Sequence, residues 1–133
     1  MWRSLGLLVL VLGCGVSASA ARRELASPLP MEEAFTRAMR VVADIGYTVT
    51  DADRASGFLR AERKASSGGT EFLTGSANIW VLTVTVLEDS GGTRFVLQPK
   101  NVREEGGRRT TVGVMVMKGQ QAQVGSIASR LSR

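Results

Sequence analysis

Apolar and polar positions follow two periods along this chain, and the switches between them mark its elements. From Pro30 onward, Phe35, Ala38, Val42 and Ile45 recur at helical spacing, with Ala34 and Val41 widening the stripe. Pro30 suits a first helical position, Glu32 and Glu33 suit the positive end of the helix dipole, and Gly46 suits a C-terminal cap. After Gly46 the period drops to two. Tyr47–Thr50 and Phe58–Arg63 read as short strands around a turn at Asp51–Gly57. Ser66–Thr70 reads as a loop extending toward Asn78. Ile79–Leu87 is the strongest strand pattern, with Trp80, Leu82, Val84 and Val86 on one face and Thr83 and Thr85 on the other. A turn at Asp89–Gly92 returns the chain as Arg94–Gln98, which Pro99 bends or ends. A turn at Glu104–Gly107 leads to a last strand, Thr110–Met117. Gly119 breaks the pattern, and Val124, Ile127, Ala128 and Leu131 then form the stripe of a closing helix from Gln120 to Leu131. Helix, four or five antiparallel strands, then helix predicts an α+β domain of two layers, with both helices on one face of the sheet.

The segment before Pro30 has a different character. Arg3 is followed by the apolar run Leu5–Leu12 and then by Gly13 and Cys14. A charged start, a short apolar middle and a small residue before a cut are the parts of a secretory signal peptide. The run falls well below the roughly 20 residues needed to span a bilayer. Val11-Leu12-Gly13-Cys14 resembles the lipobox of bacterial lipoproteins. The resemblance implies a diacylglyceryl group on the Cys14 sulfur and a mature chain beginning there. Ala18-Ser19-Ala20 offers a second cut, before Ala21, which would release a soluble protein without Cys14. The expected organisation is therefore a signal peptide over 1–13, a lipidated Cys14 with a flexible linker over 14–29, and one α+β domain over 30–133. Such a linker of about 15 residues has a root-mean-square span of roughly 20 Å.

Composition narrows the chemistry. The 133 residues include no histidine and a single cysteine. The usual general base is therefore missing, and once Cys14 is lipidated so is a thiol nucleophile. A lone cysteine also cannot form an internal disulfide. Zinc would lack its preferred ligands. Asp51 and Asp53 are too few for a calcium loop and read as turn residues. Glu104 and Glu105 are adjacent and would point apart on a strand. Gly68-Gly69 and Gly106-Gly107 lack the Lys-Ser/Thr ending of a phosphate loop. Ser126 and Ser129 have no base to activate them. No catalytic residue, metal ligand or cofactor is expected, and the protein reads as a non-enzyme.

Charge brings in one candidate surface. The chain carries 17 basic and 12 acidic side chains, interspersed, for a net charge of +5. No basic motif interleaved with aromatics appears, so nucleic acid is not an expected partner. Lys100, Arg103, Arg108 and Arg109 flank one hairpin turn and are the candidate contact for anionic headgroups or a protein partner, at roughly 1 kcal/mol per near-surface cation. The alternative is a charged edge that discourages strand pairing between molecules. Trp80 reads as a core residue.

Ala34–Met39, Ile45-Gly46-Tyr47-Thr48-Val49 and Asp53–Ala61 together resemble small bacterial envelope lipoproteins in which a helix ends in G-Y/F-x-V and leads to a D-x-x-x-G-x-[IL]-x-A hairpin. The helix-grip domains of BamC-type outer-membrane assembly lipoproteins have a similar plan. The resemblance covers about 30 residues and rests on caps, turns and core positions. It implies a binding or accessory module in the cell envelope. Gly15 after Cys14, in place of an inner-membrane retention Asp, implies the outer membrane. Two other readings stand beside it: a secreted enzyme or inhibitor cut after Ala20, and an envelope protein that oligomerises through strand edges such as Arg94–Gln98.

Overall fold

The computed structural model of the chain describes residues 22–65, 75–111 and 118–133. Among these, the order is β1 (Arg23–Ser27), α1 (Met31–Ile45), β2 (Thr48–Asp53), β3 (Phe58–Lys64), β4 (Ser76–Asp89), β5 (Gly92–Glu105), β6 (Arg108–Thr111) and α2 (Lys118–Leu131). The fold is α+β, with both helices on one face of an antiparallel sheet ordered β1-β5-β4-β3-β2. β6 pairs with β5 beyond the end of β1, at Val102–Glu105, whereas β1 pairs with Thr93–Leu97.

Topology dictates the course of α1. β1 and β2 are opposite edges of the sheet, so the connection between them must cross it. Four inter-strand gaps of about 4.8 Å span roughly 19 Å. The 15 residues of α1 rise about 22 Å. The helix therefore bridges the sheet and lays Ala34, Phe35, Ala38, Val41 and Val42 on it. Pro30 caps the helix one residue before its start, with its carbonyl accepting from Ala34 N–H at 2.9 Å. Gly46 ends it at φ +111°, a left-handed conformation that glycine adopts at little cost. Arg63 of β3 reaches back and donates to the Ile45 carbonyl at 3.0 Å, supplying the cation that the last turn of α1 lacks.

The main core joins α1 and α2 to the even-numbered face of β4. Phe35, Val42, Leu59, Leu82, Val84, Val86, Phe95, Leu97, Ile127 and Leu131 are all buried there. Ile79, Val81 and Val102 form a small second cluster on the opposite face.

Several elements differ from the sequence expectation. Arg23–Ser27, within the stretch read as linker, is an edge strand held by the β5 ladder. Arg94–Gln98 is not an exposed edge, because β1 and β4 flank it. Pro99 does not end its strand: β5 runs through it, with Leu82 opposite. Its missing N–H falls between the β1 ladder, which ends at Leu97, and the β6 ladder, which starts at Val102, so neither ladder loses a bond. Asp51 and Asp53 belong to β2 rather than the turn, and β4 starts at Ser76. Gly119 lies inside the first turn of α2. Cys14, the Ser66–Thr70 loop and residues 112–117 of the expected last strand lie outside the described residues.

Candidate functional site

The four cations around the β5–β6 turn do not share a face. Register places Arg103 opposite Asn78 and Thr110, and Arg108 opposite Glu105, on the helix-bearing side; Lys100 opposes Val81, and Arg109 opposes Glu104, on the other. Arg103 and Arg108 line an open cleft of about 370 Å³ with Glu105, Gly106 and Thr110. Arg103 lies 3.9 Å from Glu105 and donates weakly to Ser76 Oγ at 3.4 Å. Arg109 turns away from this cleft. It donates to Glu104 at 2.7 Å and to Glu62 at 2.9 Å, and these carboxylates raise its pKa.

The Arg109–Glu62 pair reports the shape of the sheet. Arg109 is on β6 and Glu62 on β3, three strand gaps away and offset by four residues along the ladders. In a flat sheet their backbones would be about 20 Å apart. The contact therefore requires the long β4–β5 ribbon to coil toward the face opposite the helices, as strand twist permits. Ile79, Val81 and Val102 lie buried on that face. Glu62, which also receives Arg60 at 3.3 Å, has a side chain only 15% exposed.

Of the acidic residues expected at turns, Asp53 makes turn bonds from the last position of β2, whereas Glu104 lies in β5 and pairs with Arg109. Asp53 accepts from Ser56 Oγ at 2.9 Å and from Ala55 N–H at 3.0 Å, and these bonds lower its pKa. Asp89 holds Arg94 at 3.0 Å across its hairpin and is lowered for that reason first. No three His, Cys, Asp or Glu side chains group as a metal would need among the described residues.

A second constellation escaped sequence reasoning. On the helix-bearing face, Arg63, Trp80 and Asn101 oppose one another across β3, β4 and β5. Tyr47 stands beside Arg63 at the end of this row. The first turn of α2 lies over the other end. Gln120, fully buried, donates its Nε2 to the Lys100 carbonyl at 3.1 Å, and a Cβ on Gly119 would sit 3.1 Å from the Trp80 ring. The row is polar at a depth where the rest of the face is apolar. Tyr47 Oη, Trp80 Nε1, Asn101 Oδ1, Gln120 Oε1 and Gln123 Oε1 are buried without a hydrogen-bond partner. Burial pushes the Tyr47 hydroxyl up to about 12, the nearby Arg63 charge opposing in part. The signal was present in the sequence as phase. Asn101 continues the inward series Phe95, Leu97, Pro99, and Gln120 precedes Val124, Ile127 and Leu131 on the stripe of α2. Trp80, expected in the core, packs against it, with its indole N–H in this row.

No protein-family profile and no curated protein matches the chain. Among solved structures it is similar to a DUF4468 family protein from Bacteroides ovatus, at 11% identity over 82% of this chain and 77% of that one, with a TM-score of 0.40. It is also similar to Ara h 8.0201, at 11% identity over 83% of this chain and 93% of that one, with a TM-score of 0.33. Likenesses this remote say nothing about function.

Proposed function

We propose that this chain is a lipid-anchored protein of the bacterial cell envelope, carried on the periplasmic face of the outer membrane, whose α+β domain serves as a non-catalytic binding or accessory module. The observation that carries the reading is the sequence Val11-Leu12-Gly13-Cys14 at the end of a charged and apolar leader. Two or more acyl chains at Cys14 would hold the protein far more firmly than the marginal binding of one. The strand at Arg23 shortens the tether to eight residues, 15–22. At no more than about 3.6 Å per residue, the domain stays within roughly 30 Å of its anchor.

Geometry supports an orientation for such a domain. β1 runs antiparallel to β5, with Ser27 opposite Thr93 and Arg23 opposite Leu97. Its start thus points along β5 toward Val102–Glu105, where β6 and the hairpin tip lie. In this reading Arg108, with Arg103 beside it, is the cation of the tip most available to an anionic headgroup. Lys100 faces the other side, and Arg109 is engaged by Glu62 and Glu104.

Replacing Cys14 by Ala tests the anchor. The variant should move from the membrane pellet to the soluble periplasmic fraction. A variant that still pellets with the membrane, under conditions that strip peripheral proteins, would overturn the reading. The second reading, a secreted protein cut after Ala20, is favoured by Ala18-Ser19-Ala20; that cut leaves β1 intact.

A further inference from the structure

The helix layer carries an open cleft of about 650 Å³ along α1, closed on one side by the end of α2. Leu29 and Val41 give it apolar surface, and the rest of its lining is polar or charged. Arg37 joins the two helices here. Its guanidinium donates to the Arg130 carbonyl at 3.0 Å and to the Arg133 carbonyl. The end of a helix leaves such carbonyls without a helical donor.

That bond takes Arg37 away from Glu33. Glu33 precedes Arg37 by four residues, the spacing and order that favour an ion pair on a helix. With Arg37 turned toward α2, Glu33 has no partner. Arg40 and Asp44, also four apart and in the less favourable order, are unpaired as well. Arg130 and Arg133 complete the group. Among the described residues, none of these five side chains makes a hydrogen bond or an ion pair, yet all line the one cleft. Elsewhere arginines and carboxylates are matched, as Arg94 is with Asp89 and Arg109 with Glu62 and Glu104.

Unpaired charges of both signs select the ligand. A simple anion would be repelled by Glu33 and Asp44, and a simple cation by the arginines. A zwitterion with separated charges meets both. Glu33 and Arg40 are seven residues apart on one face of α1, a rise of about 10.5 Å. Three extended residues of a peptide span roughly 10 Å. An arginine fork suits a terminal carboxylate, and Glu33 suits a terminal ammonium. Leu29 and Val41 offer apolar surface to the side chains between. The cleft is within the usual range of small-ligand sites, about 300–1,000 Å³.

We infer that the cleft between α1 and the end of α2 binds a short peptide with free ends, of about three residues, its amino group at Glu33 and its carboxylate at Arg40, in the field of Arg130 and Arg133. The inference stands apart from the lipid anchor and holds wherever the protein resides.

The test uses the full-length chain in detergent micelles, labelled with nitrogen-15. The probe is the peptide Ala-Leu-Ala with both ends free. The same peptide acetylated at its amino end, amidated at its carboxyl end, or blocked at both is the comparison, together with acetate alone. The free peptide should move the backbone amides of Thr36, Arg37 and Arg40 saturably. Blocking either end should weaken binding about two- to fivefold, the effect of one exposed charge pair. Glu33→Gln should cause a loss of that size for the free peptide and none for the acetylated one. Arg40→Gln should do the same for the free peptide and leave the amidated one unchanged. Both positions are exposed, so neither change threatens the fold. If the free peptide moves no amide saturably, the inference fails. Equal binding of the free and doubly blocked peptides would also overturn it, as would acetate matching the peptide, since the cleft would then hold an anion alone.

Discussion

The helix-bearing face of the sheet has two unlike halves. Under the middle of α1, Phe35, Val42, Leu59, Val84, Val86 and Phe95 pack with almost no exposed surface and no polar side chain among them. Toward the other end of β4 and β5, the same face carries Trp80 and Asn101, roofed by Gln120. The strands are continuous between the halves, so backbone structure does not distinguish them. The side-chain choice does. The first half is arranged for stability, and the second keeps polar atoms buried at a cost that packing alone does not require.

The largest effect should come from breaking the dry half. Phe35→Ala should destabilise the domain by about 3–5 kcal/mol, measured by denaturant unfolding, because the large cavity lies against both helix and sheet. Asn101→Leu in the wet half should cost far less, since it removes an acceptor that has no partner. Equal losses at the two positions would erase the contrast.

Gly57→Ala should come next, at about 1–3 kcal/mol. Gly57 sits at φ +75°, its carbonyl accepts from Val86 N–H at 2.8 Å, and a Cβ there would overlap the Val86 carbonyl. A smaller loss, one that barely moves the unfolding midpoint, is expected for Arg109→Ala, because the Arg109 side chain is itself exposed. Its sharper readout is local: amide exchange at Ile79, Val81 and Val102 should quicken as the coiled ribbon loosens.

The smallest effect at neutral pH should be Tyr47→Phe, which deletes a buried hydroxyl without a partner. Its signature appears in alkali. An unfolded tyrosine ionises near 10, and the folded one near 12. Tyr47 therefore contributes stability that is fully present below pH 10 and lost as pH rises through 12. The parent should show an extra fall in melting temperature over that window, and Tyr47→Phe should lack it.

Much of this architecture was legible in the sequence. The stripes of α1 and α2, the Gly46 cap and the face of Trp80, Leu82, Val84 and Val86 follow from period alone. β1 was not legible because Arg-Glu-Leu-Ala-Ser has little strand character; it is a strand because β5 offers it a ladder. Pro99 misled because its consequence depends on which side of the strand lacks a partner. The basic hairpin was legible as composition but not as geometry. Glu62, far away in sequence, takes Arg109 from the group only because the sheet coils. The polar row was visible as Asn101 and Gln120 in core phase, yet only burial distinguishes such residues from solvated ones.

The lipid anchor at Cys14 is tested most directly by the intact mass of the protein purified from its native membrane. A mature chain beginning at Cys14 and carrying added acyl mass is the predicted result. A chain beginning at Ala21 with no lipid would contradict it.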